Sequence, residues 1–229
     1  MNINPAQTVF NLSNTAYFKI SRKSAFHVAG HAAAIYFRNR QLSLPTVFFQ
    51  IQLCEDFYPR KSSKTIDKKY NSFFPKLEGG RLIPELPFSL TEMEQKMPSS
   101  QLAYQEAFEA DIVNLLAGPI AEAKYVALRD DEVITPRLVN LKALHRYGGE
   151  TAIDVVYKYF ECINETDKSK EKLIIGLYLS AFAFVNERAN WLAITALAEH
   201  ILATQKPLIA FEEIVCILES NHKNLKRIH

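Results

Sequence analysis

Cysteine is scarce in this chain: Cys54, Cys162 and Cys216 are widely spaced, odd in number and form no C-x-x-C pair. That argues against a disulfide framework or a cysteine-rich metal site and fits a reducing, cytoplasmic compartment. Long apolar runs are missing as well. The longest uncharged stretches, Ser24 to Phe37 and Leu173 to Asn186, hold about 14 residues each, against the roughly 20 that a bilayer requires. No membrane span is expected, and the opening MNINPAQTVFNLSN lacks the basic-then-apolar order of a secretory signal. No G-x-x-x-x-G-K-[ST] occurs, so the sequence contains no P-loop to power unfolding of a substrate. Nor does one sign of charge dominate. The 27 Lys and Arg against 25 Asp and Glu leave a net charge of +2, and clusters such as Arg60 to Lys69 are too local to mark a nucleic-acid footprint.

What is present is apolar content of 48% over 229 residues, enough for one good-sized core, with no linker-like composition to divide it. A single domain over 1–229 is expected, with 1–20 as a polar-aromatic lead-in and 55–99 as a long irregular excursion rich in proline, glycine and short Lys and Ser clusters. After Pro45, the stretch TVFFQIQL alternates Val47, Phe49, Ile51 and Leu53 on one face, the period of a half-buried strand. From Gln101 onward the pattern is helical. Gly118-Pro119 predicts a kink or a separation of two helices. A long helix is predicted over Leu173 to Gln205, with Trp191, Leu192, Ile194, Leu197, Ala198 and Ile201 in the core, and Lys206-Pro207 separates it from another over Ile209 to Ser220. The fold class is mainly α, with a small sheet or hairpin after the first helix.

That first helix, SAFHVAGHAAAIYF, carries His27 and His31 four residues apart and therefore on one face. Two neutral imidazoles so placed can hold one metal ion, as in the zinc motif His-Glu-x-x-His. Here the Glu position is Val28. Gly30 sits mid-helix at a cost of about 1 kcal/mol relative to Ala, for which close approach of another backbone is the usual reason.

The surrounding residues match more than spacing. AFHVAGHAAA resembles the YHEAGHAV helix of the FtsH-type zinc metallopeptidase domain. LLAGPIAEAKY, Leu115 to Tyr125, is similar to that family's Gly-Gly-Arg-x-Ala-Glu segment, and GGETAID, Gly148 to Asp154, to the segment carrying its third zinc ligand. Glu187 to Leu218 resembles its C-terminal helical segment. The resemblance implies zinc as cofactor, held by His27, His31 and Asp154, with Glu150 competing for the third place because the family sets its Asp about one turn closer to the glycines. It implies that Glu122 is either a partner orienting a histidine or an ordinary surface residue. It implies that the TVFFQIQL strand borders the site and can pair with substrate backbone, with a plain structural hairpin strand as the alternative, and it implies a peptide or protein ligand and a homo-oligomer. The 55–99 excursion is then a substrate-facing flap or an insertion serving another partner.

In a His-Glu-x-x-His peptidase the metal activates a water and the Glu moves its proton. Val28 cannot, and loss of a positioned base typically removes about 10² to 10⁴ in rate. The leading expectation is a catalytically impaired peptidase fold, a pseudopeptidase, that acts by binding. The alternatives are a working zinc peptidase whose base is Glu109, Glu122 or Glu150, and a metal-free helical scaffold.

Overall fold

Helix α1, Arg22–Gln41, runs through the middle of the molecule, and its composition explains how. Ala25, Ala29, Ala32, Ala33 and Ala34 are fully buried, so neighbouring helices approach it closely on several sides. Gly30 takes this furthest: a Cβ there would lie 2.6 Å from Ala121 Cβ and 2.7 Å from the Ala117 carbonyl. The close packing offsets the helix propensity that glycine forfeits.

The computed structural model describes residues 19–55, 72–83, 101–163 and 166–223. Strand β1 (Lys19–Ile20) precedes α1; β2 (Phe49–Glu55) and β3 (Ser72–Gly79) follow. Next come α2 (Gln101–Arg129), the short α3 (Leu141–Leu144) leading into a 3₁₀ turn (His145–Tyr147), α4 (Glu150–Glu161), α5 (Asp167–Asn186) and α6 (Arg188–Ala203). Strand β4 (Leu208–Ile209) and α7 (Phe211–Lys223) complete the described chain. The fold is mainly helical with one small sheet, and among the described residues no helix is long and apolar enough to cross a membrane.

Helix α2 packs along α1 and also meets α4 and α5, which is why Ile112, Val113, Leu116 and Ile120 are all fully buried. With Ile194, Leu197 and Ile201 of α6 they form the centre of the core. Truncating any of these to Ala costs about 2–5 kcal/mol in such a setting. Gly118-Pro119 neither ends nor divides α2, which continues through Pro119. Packing on three neighbours outweighs the single backbone bond that proline removes.

The long helix expected over Leu173 to Gln205 is two helices. Glu187 adopts extended backbone between them, while the buried Asn190 side chain donates to the Phe184 carbonyl and to Glu187 Oε2. Apolar periodicity continues across this break, so only the polar pair Glu187 and Asn190 marks it.

The sheet order is β1-β3-β2-β4. The strand read from TVFFQIQL is β2, and it is interior, flanked by β3 and β4. Strand β3 lies inside the stretch expected to be irregular, and its outer side is covered by β1 only at Ser72 and Phe73. The remainder of that excursion, like residues 1–18 of the lead-in, lies mostly outside the described residues.

Candidate functional site

Helices α1, α2 and α4 and strand β3 enclose a cleft of about 550 Å³. His27, Val28, His31 and Ile35 of α1 line it with Asp111, Asn114 and Leu115 of α2, Thr151, Ala152 and Val155 of α4, and Phe74 to Leu77 of β3. Both histidines are half-buried, and the packing sets their orientation. His31 lies over Gly118, where a Cβ would come within 2.3 Å of its Nε2, so a glycine at that point of α2 makes room for the ring.

The hydrogen bonds determine the tautomers. His31 Nδ1 lies 2.8 Å from the Asn114 carbonyl. A carbonyl only accepts, so this nitrogen carries the proton. His27 Nδ1 lies 3.1 Å from Glu122 Oε2 and 3.2 Å from the Tyr147 carbonyl, again acceptors only, so it too is protonated. Gly148, at φ +65°, turns the chain just after Tyr147, and a Cβ there would crowd Glu122 Oε2 at 3.0 Å and His27 Nδ1 at 3.1 Å. Both Nε2 atoms are then bare acceptors, and they face each other at 3.1 Å. Two nitrogen lone pairs at that distance repel unless a positive centre lies between or beside them. The two ligand nitrogens of one tetrahedral zinc stand about 3.3 Å apart. An Nδ1–H held by a carboxylate or carbonyl is also how metal-binding histidines are usually oriented. Burial, followed by the neighbouring His27, pushes the His31 pKa down to about 3, against the pull of the Asn114 carbonyl. His31 is therefore a neutral ring near neutrality.

The donor set of this pair fits a metal ion, but a third protein ligand does not join it. Among the described residues no group of three or more His, Cys, Asp or Glu gathers around one point. Asp154 is exposed on α4 and is not part of the cleft lining, and Glu150 is exposed at the start of the same helix. The geometry of α4 explains this. Thr151, Ala152 and Val155 share the face toward the histidines, and Asp154 is about 100° round the helix from the middle of that face. Glu122 is engaged on the far nitrogen of His27, in the position of an orienting carboxylate. Glu109 accepts from Gln105 and is not part of the cleft lining. Val28, only 5% exposed, supplies hydrocarbon where the family resemblance calls for a base.

Other contributors carry weaker sequence signals. The carbonyls of Asn114 and Tyr147 are backbone atoms, for which sequence offers none. Asp111 had one: an acidic residue set among the apolar positions of a buried helix.

The outer edge of β3 forms one wall. Leu53 N–H donates to the Pro207 carbonyl, so Leu53 directs its backbone groups toward β4; by the two-residue period Ile51 and Phe49 do the same. Their β3 partners Pro75, Leu77 and Gly79 therefore direct their backbone groups away from β2, along the side that carries the cleft. Compared with protein-family models, with curated proteins and with solved structures, the chain gives no match.

Proposed function

We propose that this chain is an FtsH-like metallopeptidase-fold domain that binds an extended peptide or protein segment in the cleft between β3 and α4 and does not hydrolyse it efficiently. The observation that carries this reading is that a strand edge unpaired among the described residues and a paired-imidazole site share one cleft in which the side chain next to His27 is a buried valine. A peptide laid along β3 finds the Leu77 N–H and the carbonyls of Pro75 and Leu77 without a strand partner among the described residues, the requirement for strand addition. Apolar residues Ile35, Leu77, Leu115 and Val155 offer a surface for its side chains.

Zinc, where bound, would be held by His27 and His31 through Nε2, with Glu122, Tyr147 and Asn114 orienting the rings. A bound zinc supplies a Lewis acid able to polarise a carbonyl or acidify a water. With two protein ligands among the described residues and no carboxylate in Val28's place, these residues would hold and orient a ligand without moving a proton to or from it. A reducing cytoplasmic location belongs to this proposal through the scarcity and spacing of cysteine, and a homo-oligomeric state through the resemblance.

The test is fluorescence anisotropy of labelled, reduced casein peptides with the wild-type chain, alongside mass spectrometry of the same mixtures with zinc present. Saturable binding with peptides left intact is the expected result. Zinc-dependent cleavage lost in His31→Ala would overturn the pseudopeptidase reading in favour of a working hydrolase. Absence of binding would leave the scaffold reading in its place.

A further inference from the structure

Asp111 stands on the floor of the same cleft, 2% exposed, in a part of α2 where Ile112, Val113 and Leu116 are fully buried. A carboxylate withdrawn from water is unfavourable unless donors replace the water. Here there are three. Leu82 N–H donates to Oδ1 at 2.9 Å, Ile83 N–H to Oδ2 at 2.9 Å, and the Tyr159 hydroxyl to Oδ2 at 2.8 Å. Leu82 and Ile83 lie just beyond β3, where the chain leaves the strand through Gly79 and Gly80. Tyr159 belongs to α4 and is fully buried, its ring against Phe108 at 5.4 Å. Its hydroxyl oxygen also lies 3.3 Å from the Ile83 carbonyl, so the three groups converge.

Strand β3 and helix α4 are the two walls of the cleft, and one carboxylate on the floor ties both to a single point. We infer that Asp111 is a positioning residue that sets the width of the cleft and holds the β3 edge at the distance an extended peptide requires. This rests on the peptide-binding reading above. The two backbone N–H groups only donate, the Tyr159 hydroxyl can donate or accept, and the negative carboxylate satisfies all three. Because each carboxylate oxygen accepts from a backbone N–H, an amide at this position sets its own NH₂ against the N–H of Leu82 or of Ile83 and releases the β3 wall, and a protonated carboxyl accepts from them more weakly. Arg81 beyond β3, Tyr159 on α4 and Tyr104 on α2 are the titratable or charged groups around it. Burial holds the Asp111 carboxyl above its ordinary range, while the two backbone N–H groups, Tyr159 and Arg81 pull it the other way.

The experiment uses the full chain and the labelled casein peptides, with Asp111→Asn and Tyr159→Phe as variants. Amide hydrogen exchange is read at Leu82 and Ile83. Asp111→Asn is expected to weaken peptide binding by about tenfold or more and to speed exchange of both amides by a similar factor, with Tyr159→Phe intermediate. Wild-type affinity is expected to fall as the pH is lowered toward the ordinary carboxylate range, and the Asp111→Asn affinity to fall less. A folded Asp111→Asn chain that binds like wild type, with the same pH profile, would overturn the role. Where Asp111→Asn does not fold, unchanged affinity in Tyr159→Phe overturns it equally. Wild type that binds no peptide removes the binding reading and this role together; wild type that binds while both variants match it removes this role alone.

Discussion

Val28 follows His27 on α1 and is 5% exposed, a branched hydrocarbon beside two imidazoles whose Nε2 atoms face each other at 3.1 Å. On the proposed reading, a zinc hydrolase would need two further groups here: a general base at 28 and a third ligand on the cleft-facing side of α4. Val28→Glu alone is therefore expected to leave casein uncleaved, whereas Val28→Glu combined with Ala152→Asp should bind zinc more tightly than wild type and begin to cleave. Gel and mass-spectrometric assays with added zinc decide it, and cleavage by the single variant would mean that a third ligand is already in reach. Gly30 makes a separate prediction. Alanine gains about 1 kcal/mol in helix propensity, but its Cβ would overlap Ala121 and the Ala117 carbonyl. Because one of those atoms is backbone, Gly30→Ala should lower stability by roughly 1–3 kcal/mol in urea titrations. A more stable variant would show that α1 and α2 separate easily.

At the scale of the element, β3 matters more than its length suggests. It is antiparallel to β2 over Phe73 to Gly79 and, among the described residues, has no strand partner on its other side beyond Phe73. Leu77→Pro removes one outward N–H and leaves the hydrogen bonds to β2 in place, because proline tolerates an edge position of this kind. The expected result is a chain with wild-type circular dichroism whose peptide affinity falls by about tenfold. Unchanged affinity would place the peptide elsewhere. Period-2 patterning pointed to β2, since its alternate residues Phe49, Ile51 and Leu53 are buried. It did not single out β3, because Pro75, Lys76 and Glu78 lower its strand character and its place depends on pairing with a partner some twenty residues away. The break between α5 and α6 was equally hard to read, since apolar spacing runs on through Glu187.

For the molecule as a whole, one buried charge sets a pH dependence. Lys124 on α2 donates to the Val185 carbonyl at 3.1 Å and lies 4.4 Å above the Trp191 ring. Burial pushes its pKa down from 10.5 to about 8. The unfolded chain then holds the proton up to pH 10.5 while the folded chain gives it up above about 8. The burial penalty is in full force below that lower value and is lifted as the pH rises toward the upper one, so Lys124 makes stability increase with pH across this window. Denaturant midpoints measured from pH 8 to pH 10.5 should rise in wild type relative to Lys124→Met, which keeps the packing and lacks the proton. Parallel curves for the two proteins would show that water reaches the ammonium group.

The sequence by itself determined the helical class, the central helix with its paired histidines, the reason for Gly30, and the hydrocarbon side chain of Val28 beside His27. These follow from spacing and side-chain type within one helix, where a period of 3.6 residues settles which groups share a face. Only the tertiary structure decided the rest. Which side of α4 meets the histidines, and so why Asp154 stands apart from them, depends on how that helix is rotated against α1 and α2. That β3 forms the open wall, and that Asp111 joins it to Tyr159, depends on contacts between residues far apart in the chain, for which local pattern carries no record.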